Sequence, residues 1–198
     1  MLPSYFVIIG TIIGSIGALW YLVDTTRGKV RPNRVSFLLW SIARLIAFSA
    51  EIQKGVGIQS LMTFSVGFFP LLIFLASFVN KKAEWKLTRF DLTCGALSLL
   101  GLILWGMTKE GNVAILLSIT ADGLAAVPTI VKAYNYPETE IGWLWLTVSM
   151  NGLFTLLTVV DWTLAHYGFP LYILLVNLII YVLVQFKLGK KISIPHLV

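Results

Sequence analysis

The chain has 198 residues, of which 58% are hydrophobic and only 12% charged, and its mean hydropathy is +0.86. Soluble globular domains carry about 25% charged residues, so this composition excludes an ordinary soluble domain and indicates an integral membrane protein. The net charge of +6 does not point to nucleic acid, because the basic residues lie between hydrophobic stretches and form no single patch. Cys94 is the one cysteine, which rules out a disulfide within the chain and a thiolate metal cluster. No metal or cofactor is expected.

Seven apolar stretches follow in chain order, predicted at 4 to 23, 35 to 53, 60 to 79, 92 to 107, 113 to 134, 141 to 161 and 167 to 186. Each is long enough to cross most or all of a bilayer as a helix. The first has no basic residue ahead of it, exceeds the length of a signal-peptide apolar region and runs into a basic loop, so it is expected to remain as a helix. Twelve of the fifteen Lys and Arg fall in alternate connections and the tail; Lys54 and Lys109 lie in the others, and Arg44 lies within a span. Basic residues are retained on the cytoplasmic side, which predicts an outward N-terminus and an inward C-terminus.

Two segments resemble each other. WYLVDTTRGKVRPNRVSFLLW begins at Trp20, and AAVPTIVKAYNYPETEIGWLW begins at Ala125. Aligning Pro32 with Pro137 places Trp40 on Trp145, Leu39 on Leu144 and Arg27 on Lys132. A repeat with an odd number of spans predicts an all-α membrane bundle of seven helices in a three plus one plus three order, a parallel repeat about an axis along the membrane normal. The divisions are a first triple-helix bundle over 1–83, a linker helix over 84–110, a second bundle over 111–187 and a cytoplasmic tail over 188–198.

Polar residues inside apolar spans are the candidate site. A charged side chain at mid-membrane costs roughly 2.5 to 3.5 kcal/mol on insertion scales, so such residues pair or face water. Arg44 and Asp122 lie midway along the second and fifth spans; they form either a structural pair or part of a binding cavity. Gly10, Gly14 and Ala18, and likewise Ala114, Ser118, Asp122 and Ala126, recur every fourth residue and predict close helix contacts. Thr147, Asn151, Thr155 and Thr158 form a polar stripe on the sixth span, and Ser41, Arg44 and Glu51 share a face of the second. Asn177 occupies the middle of the seventh. Pro70, Pro128 and Pro170 interrupt helices and are candidate hinges. Trp143, Trp145, Trp85, Trp105 and Trp162, near span ends, are expected as interface anchors.

The segment VPTIVKAYNYPETEIG resembles the second PQ-loop motif of the SWEET and PQ-loop carriers, with Pro128 at the proline position and Thr129 where glutamine is usual. The span count and the three plus one plus three layout are also similar to that family, while Val23 stands where a first motif would have proline. The resemblance implies an asparagine pair in the third and seventh spans, onto which Asn177 and Ser77 map. RPNRVSFLLW also looks like a segment of small bacterial membrane proteins, which places the expected location in the bacterial plasma membrane.

No retinal lysine lies within the last span, and no HExxH or P-loop is present; enzyme activity is not expected. The expected function is a carrier for a small polar metabolite, facilitative or proton-coupled, alternating access between the two bundles with Arg44, Asp122, Asn151, Asn177, Thr147 and Ser77 at the substrate site. The alternative is a binding or receptor protein on the same scaffold, similar to the KDEL-receptor relatives of that fold. The expected partners are the lipid bilayer and a small-molecule substrate, with homo-oligomer formation left open.

Overall fold

The computed structural model describes residues 1–83, 85–107 and 111–192. The chain is all-helical, with no strand among the described residues. The helices are α1 (Phe6–Thr26), α2 (Arg34–Gln53), α3 (Ser60–Ala76), α4 (Arg89–Met107), α5 (Gly111–Asn135), α6 (Gly142–Leu157), α7 (Leu164–Phe186) and the short α8 (Leu188–Ile192). Among the described residues, four helices are long and apolar enough to cross a membrane: α1, α2, α7, and α5 over Ile115–Asn135. The helices α3 and α6 are shorter apolar segments. The start of the expected tail is not loose, because α8 packs against α5 and α7; 193–198 lie outside the described residues, as do Lys109 and the side chains of Ala114 and Trp105.

Local chemistry sets the helix ends. At the end of α1, Lys29 N donates to Asp24 O and Gly28 N to Thr25 O, a reversal that needs the left-handed backbone of Gly28 (φ 72°). A Cβ there would lie 2.8 Å from Lys82 Cβ, so the loop before α2 is pressed onto the connection before α4. Asn33 caps α2 by accepting from Val35 N at 3.1 Å and Ser36 N at 3.3 Å. Arg34 caps the other end of a neighbour: its Nε donates to Ser77 Oγ and one guanidinium nitrogen to Ser77 O, at 3.0 and 2.7 Å. A cation at the C-terminal carbonyls of α3 is favoured by the helix dipole.

Six helices close a ring in which each packs on the next: α1, α3, α2, α5, α7, α6 and back to α1. The helix α4 lies outside the ring against α5 and α2. The three basic connections gather at one end, tied by Arg31 N to Thr139 O and by Asn80 Nδ2 to Thr26 O. Inside the ring near that end, Tyr21 stacks on Phe37 at 5.7 Å, Phe37 meets Trp40 at 5.1 Å, and Trp40 meets Trp145 edge-on at 5.9 Å. Trp145 is therefore a core residue, 3% exposed, and not the interface anchor its place near a span end suggested. Its ring turns inward on the face of α6 that meets Trp40. Trp143, two residues earlier, and Trp162 do face outward.

Small residues bring α1 and α7 against α6. A Cβ on Gly17 would lie 1.8 Å from Thr147 Oγ1, and one on Gly152 would lie 2.9 Å from Leu174 N and from Pro170 O. The second clash is with backbone and cannot be relieved by a rotamer. Gly152→Ala should therefore spread α6 from α7 and destabilise the protein by about 1 to 3 kcal/mol, read as a lower midpoint of unfolding in detergent. An unchanged midpoint would contradict this packing.

Candidate functional site

Arg44 and Asp122 meet in the ring. They come from α2 and α5, neighbours in the packing, and each lies on its helix's buried face, Arg44 5% and Asp122 0% exposed. The guanidinium is bidentate: Nε donates to Asp122 Oδ1 at 2.8 Å and Nη2 to Oδ2 at 3.1 Å. Nη1 donates to Val66 O on α3 at 3.0 Å, and Tyr172 of α7 donates its hydroxyl to Asp122 Oδ2 at 2.6 Å. Trp40 Nε1 donates to the backbone oxygen of Asp122 at 3.2 Å, and the guanidinium carbon lies 5.0 Å from the Trp40 ring centre. Four helices thus hold one ion pair, which satisfies the geometry a buried pair requires.

Beside the pair is a cavity of about 30 Å³, with Arg44, Asn151, Asn177, Ser65, Trp40 and Trp145 in its lining. One water needs roughly 10 to 15 Å³ by this measure, so it has room for about two. Asn151 donates to Ser65 Oγ at 3.2 Å and its Oδ1 faces Thr11 Oγ1 at 3.5 Å; Gly10 and Gly14 of α1 leave the space for its amide. Asn177 donates to Ile173 O on its own helix at 2.8 Å, which leaves its amide oxygen for the cavity. Pro70 also lines the cavity. Of the expected site residues, Arg44, Asn151 and Asn177 come together, and Asp122 stands behind Arg44.

Two expected residues lie elsewhere. Thr147 bonds back to Trp143 O and Leu144 O on its own helix and lines a separate groove of about 420 Å³ between α1 and α6, with Ile13, Ile16, Trp20 and Tyr21. Ser77 is tied to Phe74 O and Arg34 at the basic end. Both are polar residues on apolar helices, but each is one that its own helix end or backbone satisfies. Pro128 and Pro170 lie within α5 and α7 without breaking them.

A second buried network closes the basic end. Lys132, 2% exposed, donates to Glu140 Oε1 at 2.5 Å and to Arg31 O, and Tyr21 donates to Glu140 Oε2 at 2.8 Å. The Trp85 ring lies 4.8 Å from the Lys132 ammonium, a cation held over a π face rather than a membrane-interface anchor. Nearby, Asn33 and Thr88 donate to Asp91. Glu140 and Tyr21 were not sequence candidates; the one available signal was that an acid follows Lys132 within a short, Pro-containing loop. At the surface of this end Lys190 bonds Glu138 at 2.8 Å, and that hydrogen bond holds the Glu138 carboxyl below its usual range. Its stabilising effect is present above the ordinary carboxyl range and lost as pH falls. The pair is exposed, so Glu138→Gln should shift stability by less than about 1 kcal/mol, measured by unfolding at neutral pH.

The chain is thus a helical protein of membrane character, with a buried charge pair and, beside it, a small cavity whose largely apolar wall includes Arg44, Asn151 and Asn177. It matches no family model, no curated protein and no solved structure.

Proposed function

We propose that the chain is a seven-span carrier for a small polar metabolite, built of two triple-helix bundles on a SWEET-like plan with its N-terminus outward, and caught here with its site closed. The observation that carries this reading is the small cavity, with Arg44, Asn151 and Asn177 in its otherwise largely apolar wall, where the two triplets α1–α3 and α5–α7 meet. Exchanging α1 with α5, α2 with α6 and α3 with α7 converts the α1·α6, α1·α3 and α2·α3 contacts into α5·α2, α5·α7 and α6·α7, and all of these are present. Trp40 and Trp145, matched in the aligned repeat, touch across the join. The linker role of α4 is supported too: it covers the α2/α5 seam, while the corresponding α1/α6 seam stays open as the 420 Å³ groove.

Ligand sites occupy roughly 300 to 1,000 Å³, so a cavity of about 30 Å³ takes a metabolite only after the bundles move apart. The aromatic cluster and the Lys132–Glu140 network bar the basic end, taken as cytoplasmic. Rocking of one triplet against the other would open either end and enlarge the cavity around Arg44, Asn151 and Asn177. The second reading, a receptor that binds without transporting, is favoured by the small size of the cavity and by an ion pair with all its partners in place.

Thiol accessibility separates the two. With Cys94 replaced by Ala, Ser65→Cys places a single thiol on the cavity wall. A carrier exposes it to a membrane-impermeant maleimide from either side in turn, with labelling altered by the transported compound. Uptake into proteoliposomes across sugars, amino acids and vitamins, with and without a pH gradient, identifies that compound. A thiol that is never labelled, with no uptake across the panel, overturns the carrier reading.

A further inference from the structure

Glu51 is the buried acid that the ion pair and the basic-end network leave unused. It is 2% exposed, on the last turn of α2, where Val56 N donates to Glu51 O and Gly55 (φ 75°) turns the chain back. Its Oε1 accepts from Thr63 Oγ1 on α3 at 3.0 Å. Its Oε2 is buried with no hydrogen-bond partner. The contrast with the other buried acids is sharp: Asp122 accepts from Arg44 and Tyr172, Glu140 from Lys132 and Tyr21, and Asp91 from Asn33 and Thr88.

Among the described residues, the surrounding elements offer no cation. On α2, Arg44 is two turns away, about 10 Å along the helix, and is bonded to Asp122 and Val66 O; Lys54 is exposed beyond the helix end. The helix α3 contains no charged residue. On α5 the charged residues are Asp122 and Lys132, both paired, and on α4 they are Arg89 and Asp91 at the basic end. Lys109 and Glu110 lie outside the described residues. An ionised carboxylate held by one hydroxyl in a low-dielectric interior costs far more than the same group with its proton. Thr63 serves Oε1 alone, and Oε2, which no donor reaches, is the oxygen left to carry a proton.

We propose that Glu51 is a proton-binding site, protonated in this closed conformation and able to release its proton only when the α2/α3 end opens to water. The inference deepens the carrier reading and rests on it for the use made of the proton. Opening and proton release would then be one event, which is what coupling a carrier to a proton gradient needs.

Infrared difference spectroscopy of the full chain in lipid nanodiscs tests this, with Glu51→Gln as the comparison, since the glutamine carbonyl can still accept from Thr63. At neutral pH the wild type should show a protonated carboxyl band that the variant lacks. Absence of that band means the group is ionised and overturns the proposal. Unfolding supplies a second readout. The folded chain holds a proton that an unfolded carboxyl, with its ordinary pKa of about 4.3, does not hold above that pH. Wild-type stability should fall relative to Glu51→Gln as pH rises from 5 to 9, with the gap closing toward pH 5; a pH-independent gap also overturns it. Neither readout requires transport, so failure of the carrier reading and failure of this site are told apart.

Discussion

Removal of Asp122 alone, as Asp122→Ala, is expected to destabilise the protein by about 3 to 5 kcal/mol, or to prevent its accumulation in the membrane. The guanidinium of Arg44 would then keep its Val66 O contact but lose the bidentate carboxylate, with a cavity of only about 30 Å³ beside it. An unpaired charge in such surroundings carries its full desolvation cost. Removing both charges together, as Arg44→Met with Asp122→Leu, should be much less damaging, because well-packed apolar side chains of similar volume often replace a buried pair at little cost. Unfolding of the three proteins in the same detergent measures this. If the double variant is as unstable as the single one, the pair contributes more than mutual neutralisation. For a carrier the double variant has a second consequence: a stable bundle that no longer takes up the substrate would assign Arg44 to binding as well as to structure.

Lys132→Met should have the next largest effect. It leaves Glu140 with Tyr21 as its remaining donor and removes the ammonium from Arg31 O and the Trp85 face, so a loss of about 3 kcal/mol or more is expected. Its coupling to Glu140→Gln should be strong: contacting members of one network show interaction energies of about 0.5 to 3 kcal/mol. A double-mutant cycle by unfolding gives that value, and additive losses would show that the two do not act as a unit. Since this network ties the end of α5 to the loop before α2, the single variant should also loosen the basic end. Faster amide exchange in residues 27–33 and 136–141 would report it.

Much of this was legible in the chain before its fold. The apolar stretches at 35 to 53 and 60 to 79 correspond to helices Arg34–Gln53 and Ser60–Ala76, because length and hydropathy are local properties. The small-residue row with Asp122 correctly marked a face of α5 turned toward other helices, since only such a face tolerates a carboxylate in an apolar helix. Spacing failed where one residue can satisfy itself. Thr147 shares a stripe with Asn151, yet its hydroxyl turns back to its own helix, while the Asn151 amide, in the space that Gly10 and Gly14 leave, reaches Ser65. Ser77 failed for a related reason, as it serves a helix end. Trp145 failed because a position near a span end does not tell which way the ring turns.

The sequence by itself determined the membrane character, the helical segments, the gathering of basic residues in alternate connections and the small set of polar side chains that apolar helices must hide. Each follows from composition or from a period of 3.6 residues. Only the tertiary structure decided that Arg44 meets Asp122, 78 residues away, that Lys132 and Tyr21 meet on Glu140, and that Glu51 accepts a hydrogen bond from one threonine. A helical period states which side chains share a face; the rotation and neighbours of that face depend on how small residues such as Gly17 and Gly152 let the backbones close.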